Sequence, residues 1–319
     1  MNEPLVSVII PAYNAGKYIE KAIRSILNQT YQNLELLIAD DASTDNTKSI
    51  IDLLASEDNR IRTFHNFRNL HYVKTCNKLF PLCNGAFITF QDADDWSDPR
   101  RIEMQVKHLQ SNPEIGANAV NYIRVDVNDK ELFRTSFPEN HDDILKKIPD
   151  DFQVLANSLM VRKTVLDDIG PYHHFFSRVG AEHLYWYYLI SEKYKVANLK
   201  EHLCFFRSTP DSITRFESKN IGKIIITDIL KEIITQRRKT GTDCLESNNL
   251  YQQSQIVNKL LSQQKHRFNA ALRFAWELQY KNAFKTQFKG LIFNPLQNYI
   301  RYKELFYYFR MMLFYKPKS

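Results

Sequence analysis

The sequence predicts an α/β fold, with a doubly wound, mostly parallel sheet over residues 1–215 and a helical extension over residues 216–319. Three observations predict it. Short runs rich in β-branched residues alternate with amphipathic helical patterns four times before residue 112, as expected of strand–helix–strand units. The runs are apolar on both faces, as strands covered by helices on either side must be. From Glu217 onward the alternation ceases, and the chain reads as helical, rich in Gln, Lys and aromatic residues, with no Pro before Pro295.

The elements follow in order. Val6–Ile10 (VSVII) reads as a strand ended by Pro11, and Lys17–Gln29 as a helix with Ile19, Ile23, Ile26 and Leu27 on one side. Leu34–Ala39 is a second strand, stopped by Asp40-Asp41, and Ser43-Thr44-Asp45 offers N-caps for a helix reaching Ala55. Arg60–Phe64 is a short third strand and Tyr72–Leu82 a third helix. Ala86–Gln91 is a fourth strand, closed by Asp92-Ala93-Asp94-Asp95. Ser97 or Asp98 then caps a helix running to Ser111, with Pro99 near its start. Beyond it, Ala119–Val127 and Glu131–Ser136 read as a hairpin, Pro138–Asp151 as a polar loop and Ser158–Arg162 as a strand. Ala181–Lys193 is a helix, followed by strands at Val196–Leu199 and Leu203–Arg207. The regular strand–helix alternation covers about 1–110 and a less regular part covers 111–215; no internal repeat is present.

Composition narrows the function classes. The chain has 319 residues, 44% hydrophobic and 25% charged, an ordinary globular balance with ample length for a core. It has only 8 glycines, roughly a third of the usual share. No G-x-G-x-x-G and no G-x-x-x-x-G-K-[ST] occurs, so glycine-loop phosphate cradles are excluded. The formal charge of +7 is divided unevenly: residues 1–215 hold 25 Lys/Arg against 29 Asp/Glu, and residues 216–319 hold 18 against 7. An acidic front and a basic tail suggest two jobs. Cys76, Cys83, Cys204 and Cys244 form no C-x-x-C pair and read as reduced thiols of a cytoplasmic protein. The start, MNEPLVSVIIPAYN, lacks a basic leader region, and no apolar stretch is long enough to span a bilayer.

In open α/β sheets, ligands bind at the carboxyl ends of the strands. Three such ends carry Pro11-Ala12-Tyr13-Asn14, Asp40-Asp41 and Asp92-Ala93-Asp94-Asp95. This chemistry suits a nucleoside diphosphate: Tyr13 to stack on a base, Asp41 to accept its ring N–H, and Asp92 with Asp94 to hold a hard divalent cation. Asp residues after strands also serve as turn formers and caps, but three successive strand ends favour a site. A D-x-D-x-T phosphatase is excluded by Trp96 at the Thr position.

VSVIIPAYNAGKYIEKAIRSILNQTYQNLELLIADDASTDNT, followed by NGAFITFQDADDW, resembles the inverting family 2 glycosyltransferases of the GT-A fold. The resemblance is dense over residues 5–110, thinner to 215, and does not reach the basic tail; it implies a nucleotide-sugar half at about 1–110 and an acceptor half at about 111–215. It implies a sugar transferred from a nucleotide donor, a UDP-sugar by preference, to a glycan or lipid-linked acceptor of surface polysaccharide or glycoconjugate synthesis. It implies nucleoside contacts from Pro11 and Tyr13, uracil binding by Asp41, and ribose and Mn2+ or Mg2+ binding along Asp92-Ala93-Asp94. Where the family reads A-R-N-x-G, this chain has Thr75-Cys76-Asn77-Lys78-Leu79, keeping Asn77 as a nucleotide contact and losing Arg and Gly. Lys74, Lys78, Arg68 or Arg207 are the cations left for the diphosphate.

An inverting transfer needs one base for the acceptor hydroxyl, and a metal-neutralised diphosphate leaves without a general acid. The family's Glu-Asp pair falls on Glu182-His183, which makes Glu182 the expected base and His183 its rival. The family's metal-binding His is Thr209 in this chain, and Arg207 or Arg215 remains to hold phosphate beneath a closing loop. For the basic region, whose end Tyr299–Ser319 is dense in aromatics, four roles stay open: anchorage on an anionic membrane face, packing on the catalytic domain, homodimerisation, or binding an acidic glycan. Nucleic acid is not expected as a partner. A sugar nucleotidyltransferase and a catalytically inactive nucleotide-sugar scaffold are the competing readings.

Overall fold

The structure is a computed structural model that describes residues 3–152, 154–177, 180–208 and 221–247, with Gln253 and Ile256. The described residues fall into two compact units, the first drawn from Met1–His174 and Glu182–Ser212, the second from Phe175–Ala181 and Ile213–Ser319. Thr209, Arg215 and the Tyr299–Ser319 segment lie outside the described residues.

The first unit is built on one mixed sheet. Its parallel half is β3 (Ile61–His65), β2 (Leu34–Asp40), β1 (Val6–Ala12) and β4 (Phe87–Phe90), in that order. The sheet continues through β8 (Met160–Arg162), β6 (Ile115–Val125), β9 (Lys195–Arg207) and β5 (Trp96–Ser97), while β7 (Glu131–Arg134) pairs with β6 as the expected hairpin. β8 runs antiparallel to both β4 and β6, so the sheet beyond β4 is mixed rather than parallel.

The apolar runs behave as their composition demands. Val6, Val8 and Ile10 of β1 and Leu36 and Ile38 of β2 are wholly buried in a core completed by Ile19, Ile23 and Ile26 of α1 (Ile19–Leu27), Ile51 of α2 (Thr47–Glu57) and Ile102 of α4 (Arg101–Ser111). Ile9 and Leu37 alternate with these along the strands and are equally buried. Two apolar faces per strand are what winding helices over both sides of a sheet requires.

Several expectations are corrected. Pro11 does not end the first strand, which continues to Ala12 in register with Asp40; the missing N–H falls at the strand's end, where one rung is lost cheaply. The two strands expected at 196–207 are one, β9, with register slips against β6 on both sides of Asn121. The Asn121 amide bridges the irregularity by donating to the carbonyls of Leu199 and Lys200. Ser97 lies in β5 and caps nothing; Asp98 accepts the Arg100 N–H at 2.9 Å, an Asx turn that delivers the chain into α4 at Arg101. Asp45 likewise accepts from the Thr47 N–H at the head of α2. The polar segment 138–151 contains a helix, α5 (His141–Lys147), whose cap is the Asn140 side chain on the Asp143 N–H.

Scarce glycines mark tight places. A Cβ on Gly85, just before β4, would lie 2.5 Å from the Ser7 backbone nitrogen and 2.7 Å from the Phe87 carbonyl. Backbone cannot yield as a flexible side chain can, so Gly85→Ala is expected to cost about 1–3 kcal/mol, read as a lower urea midpoint at unchanged slope.

Candidate active site

Parallel pairing brings three strand ends to one rim. Asp41 follows β2 and donates its N–H to the Ala12 carbonyl at 2.8 Å, while Gln91, just after β4, donates to Ile9 at 3.0 Å. Tyr13, Asp41 and Asp92 are thereby gathered by backbone alone. Tyr13 is 50% exposed, an aromatic face open for stacking. Its loop is braced from the next crossover: Asn14 N–H donates to Ser43 Oγ, and Gly16 N–H to Asp45 Oδ2.

Two residues that the sequence assigns to the nucleotide are engaged within the chain. Asp41 is buried, and its Oδ1 accepts from Asn66 Nδ2 and the Leu70 N–H, its Oδ2 from the His71 N–H, each at 2.8 Å. It thus supports the 66–71 loop that leads into α3 (Tyr72–Leu79). Asn77 forms a reciprocal pair with the Tyr172 peptide, donating to its carbonyl at 2.8 Å and accepting its N–H at 3.0 Å. The amide that sequence reasoning gave to the nucleotide is a clamp between α3 and the chain ahead of α7. Among the cations, Lys74 and Arg68 are exposed, and Lys78 donates to Asn66.

The carboxylate cluster is the electrostatic centre. Burial, followed by the charge of Asp94, pushes the Asp92 carboxyl up to about 7, with His183 and Asn157 pulling it back and Glu182 raising it. Burial also raises Asp94, against the opposing pull of its own backbone, Arg207 and Arg124. Asp95 stands well above the carboxylate range, from burial and from the charges of Asp94 and Asp92. Asp95 serves the turn: Oδ1 accepts the Arg207 N–H at 2.7 Å and Oδ2 accepts from Asn157 Nδ2. Ala93, buried between Asp92 and Asp94, adds no side-chain chemistry.

Glu182 opens α7 (Glu182–Lys193), where the helix dipole favours an acid. The chain turns into it through Gly180 and Ala181, both at positive φ. Trp186, one turn on, fixes the helix: its indole donates to the Gly170 carbonyl at 2.8 Å and its ring packs on Phe80, Phe90 and Tyr172. Glu182 is only 8% exposed, and His183 Nδ1 lies 3.5 Å from its Oε1. Glu182 and Asp92 both act on Tyr72, Cys76 and Tyr172, whose phenols and thiol burial raises first and foremost. Residues distant in sequence are therefore brought close together, with the charges of Glu182 and His183 both acting on Asp92.

Arg207, read from sequence as a diphosphate cation, is 4% exposed and committed elsewhere. Its guanidinium donates from Nε to the Asp94 carbonyl at 3.0 Å, pairs with Asp129 and lies over the rings of Tyr18 and Trp96. Sequence reasoning missed a second cation. Arg124 of β6 donates from Nε to Ser208 Oγ at 2.6 Å, and its charge reaches Asp94 and Asp95. No motif marks Arg124, because a β6 residue reaches this rim only through the β6–β9 pairing. Asn157, in the short turn before β8, and Asp129, in the β6–β7 turn, were missed because only the tertiary fold brings them to this rim.

The raised Asp92 implies a sign for pH. A carboxyl with higher proton affinity folded than unfolded favours the fold at low pH, and that contribution is lost as pH rises towards about 7. In chelator, the melting temperature of Asp92→Asn is therefore expected to rise relative to the parent between about pH 4 and 7 and to level off above it. An unchanged difference between the two melting curves would show that Asp92 ionises without cost.

No group of three or more His, Cys, Asp or Glu arranged to hold a metal occurs among the described residues. All four cysteines are buried free thiols. No described helix is long and apolar enough to cross a membrane.

Comparison with known proteins gives a consistent answer. The chain is 38% identical over 127 residues to glycosyltransferase GlyG of Streptococcus pneumoniae, covering 39% of this chain and 42% of that protein. It is 38% identical over 112 residues to the UDP-Glc:alpha-D-GlcNAc-diphosphoundecaprenol beta-1,3-glucosyltransferase WfgD of Escherichia coli, covering 35% and 44%. The match thus spans less than half the length of these relatives. The structure of S. aureus TarS 1-349 superposes with a TM-score of 0.55 at 17% identity, covering 84% of this chain and 82% of that one. Its UDP complex gives 0.54, with 87% of each covered. At that identity the likeness establishes the fold, and it bears out the GT-A expectation. The model of the family described as Glycosyl transferase family 2 matches residues 7–170, half the chain, and with the Asp-rich rim of its sheet this chain belongs to that family.

Proposed function

We propose that the chain transfers a sugar from a UDP-sugar to a glycan or lipid-linked acceptor of surface polysaccharide or glycoconjugate synthesis, with inversion and with a divalent metal. One observation carries this reading: Asp92 and Asp94 crowd negative charge into a half-buried rim that Glu182 and His183 face, and burial keeps both carboxyls raised despite the nearby Arg207 and Arg124. Two hard oxygen donors under mutual repulsion fit Mn2+ or Mg2+, and Asp92 and Asp94 are the residues that would hold it. When bound, the cation neutralises the diphosphate that leaves.

The chain's own groups do the rest. Tyr13 stacks on the base, with Pro11 beneath it and Asp41 holding the 66–71 loop beside it. Arg124 supplies positive charge beside the carboxylates. Glu182 removes the proton of the acceptor hydroxyl at a carboxylate oxygen, and His183 tunes or relays that proton. WfgD carries UDP-Glc as its donor and a diphosphoundecaprenol-linked acceptor in its description, which supports both substrate classes. We extend the proposal to the domain plan, with residues 1–215 catalytic and the basic residues 216–319 serving an anionic membrane face or a second copy.

Manganese-dependent release of UDP from a panel of UDP-sugars tests the reading. Pyrophosphate formed from UTP and a sugar phosphate would replace it with a nucleotidyltransferase. Tight UDP binding without turnover on any donor would replace it with a binding scaffold.

A further inference from the structure

A polar cluster remains that the proposed chemistry does not use. The β6–β7 turn is a tight loop in which the Asp126 carboxylate accepts the N–H groups of Asn128 and Lys130, and Asp129 sits at φ 65. That left-handed conformation favours Gly, Asn or Asp. It carries the Asp129 carboxylate away from its own hairpin to two cations from distant elements. Oδ2 pairs with Lys21 Nζ of α1 at 2.6 Å, and Oδ1 pairs with Nη1 of Arg207 at the end of β9.

Both cations also lie on one ring. Lys21 Nζ is 3.2 Å from the Trp96 ring centroid and the Arg207 guanidinium 4.8 Å. Two like charges on one indole need an anion between them, and Asp129 is that anion. Arg207 in turn holds the carboxylate turn at two points, Nε on the Asp94 carbonyl and its N–H on Asp95 Oδ1. Without Asp129, the buried guanidinium keeps its charge, and that charge already acts on the Asp94 carboxylate next to the carbonyl it holds.

We infer that Asp129 is a positioning residue: through Arg207 and Lys21 it fixes the Asp92–Asp95 turn and keeps Arg207 from neutralising Asp94, so that the Asp94 carboxylate stays available to the donor diphosphate and its cation. The inference rests on the reading of the rim as a metal-assisted nucleotide-sugar site. It makes the β6–β7 hairpin, an element of the acceptor half, a determinant of donor binding.

Asp129→Gly and Asp129→Asn both tolerate the left-handed turn, so neither strains the hairpin. UDP binding to the full chain is measured by calorimetry with and without Mn2+, alongside kcat and KM for donor hydrolysis. Asp129→Gly is expected to weaken Mn2+-dependent UDP binding about tenfold and raise the donor KM in step, with metal-free UDP binding unchanged. Asp129→Asn should fall between it and the parent, and Lys21→Gln should show the same pattern more weakly. Glu131→Gln, an exposed neighbour whose ion-pair partner among the described residues is Arg134 on the same hairpin, is expected to match the parent. Equal loss of UDP binding with and without Mn2+, or unchanged Mn2+-dependent affinity in Asp129→Gly, would overturn the inference while leaving the transferase reading intact. A parent chain that binds no UDP at all would overturn both.

Discussion

Asp94→Ala is expected to abolish metal-dependent release of UDP from a UDP-sugar, a loss of at least about a hundredfold. The reason lies in which atoms of Asp94 are used for what. The turn is held through the Asp94 carbonyl, which accepts Arg207 Nε, and through the neighbouring Asp95 carboxylate. Apart from the contact with its own backbone, the Asp94 carboxylate takes no part in that scaffold, so its removal is expected to delete the proposed metal ligand and leave those two contacts in place. Its proton affinity is raised by burial, so the metal-free protein should lose nothing, and even gain, in melting temperature when the carboxylate is removed. The stabilisation that Mn2+ gives the parent should vanish. A variant that retained both turnover and the manganese-induced rise in melting temperature would remove Asp94 from the metal site.

Glu182→Gln is the second large effect. If Glu182 takes the acceptor proton, kcat falls by about 10²–10⁴, while donor KM stays within about twofold because the amide keeps the shape of the acid. His183→Ala should cost roughly tenfold, since the imidazole lies beside Glu182 rather than in its place. Two observations order the pair. Glu182 is 8% exposed and acts on Tyr72, Cys76, Tyr172 and Asp92, whereas the side chain of His183 is about a third exposed and its effect reaches Asp92. The reverse order of losses in the two variants would assign the proton to His183.

Much of the fold was legible because the parallel half of the sheet is written in local pattern. Val6–Ile10 and Leu34–Ala39 are apolar on both faces, and only a strand covered by helices on both sides buries such a run. The crossovers Ile19–Leu27 and Thr47–Glu57 repeat at helical spacing. The mixed half was read less well. Segment 138–151 looked polar because α5 is short and buries only Ile144 among its residues, so its helix depends on one Asn140 cap more than on an apolar stripe. β9 looked like two strands because its exposed and half-buried residues Lys200–His202 break the apolar run, and Asn121 repairs the break from another strand.

The site divides along the same line. By itself the sequence determined the strand ends: Tyr13, Asp41 and Asp92-Ala93-Asp94 each follow an apolar run directly, and parallel strands of one sheet must deliver their carboxyl ends to one rim. It also placed Glu182 at the head of a helix. Only the tertiary structure decided how those groups are engaged. It spent Asn77 on the Tyr172 peptide and Arg207 on Asp129, and brought Arg124, Asn157 and Asp129 to the carboxylates from elements far along the chain. The physical reason is range: strand and helix periodicity are local properties of the chain, whereas the partner of a buried charge is chosen by sheet order and register.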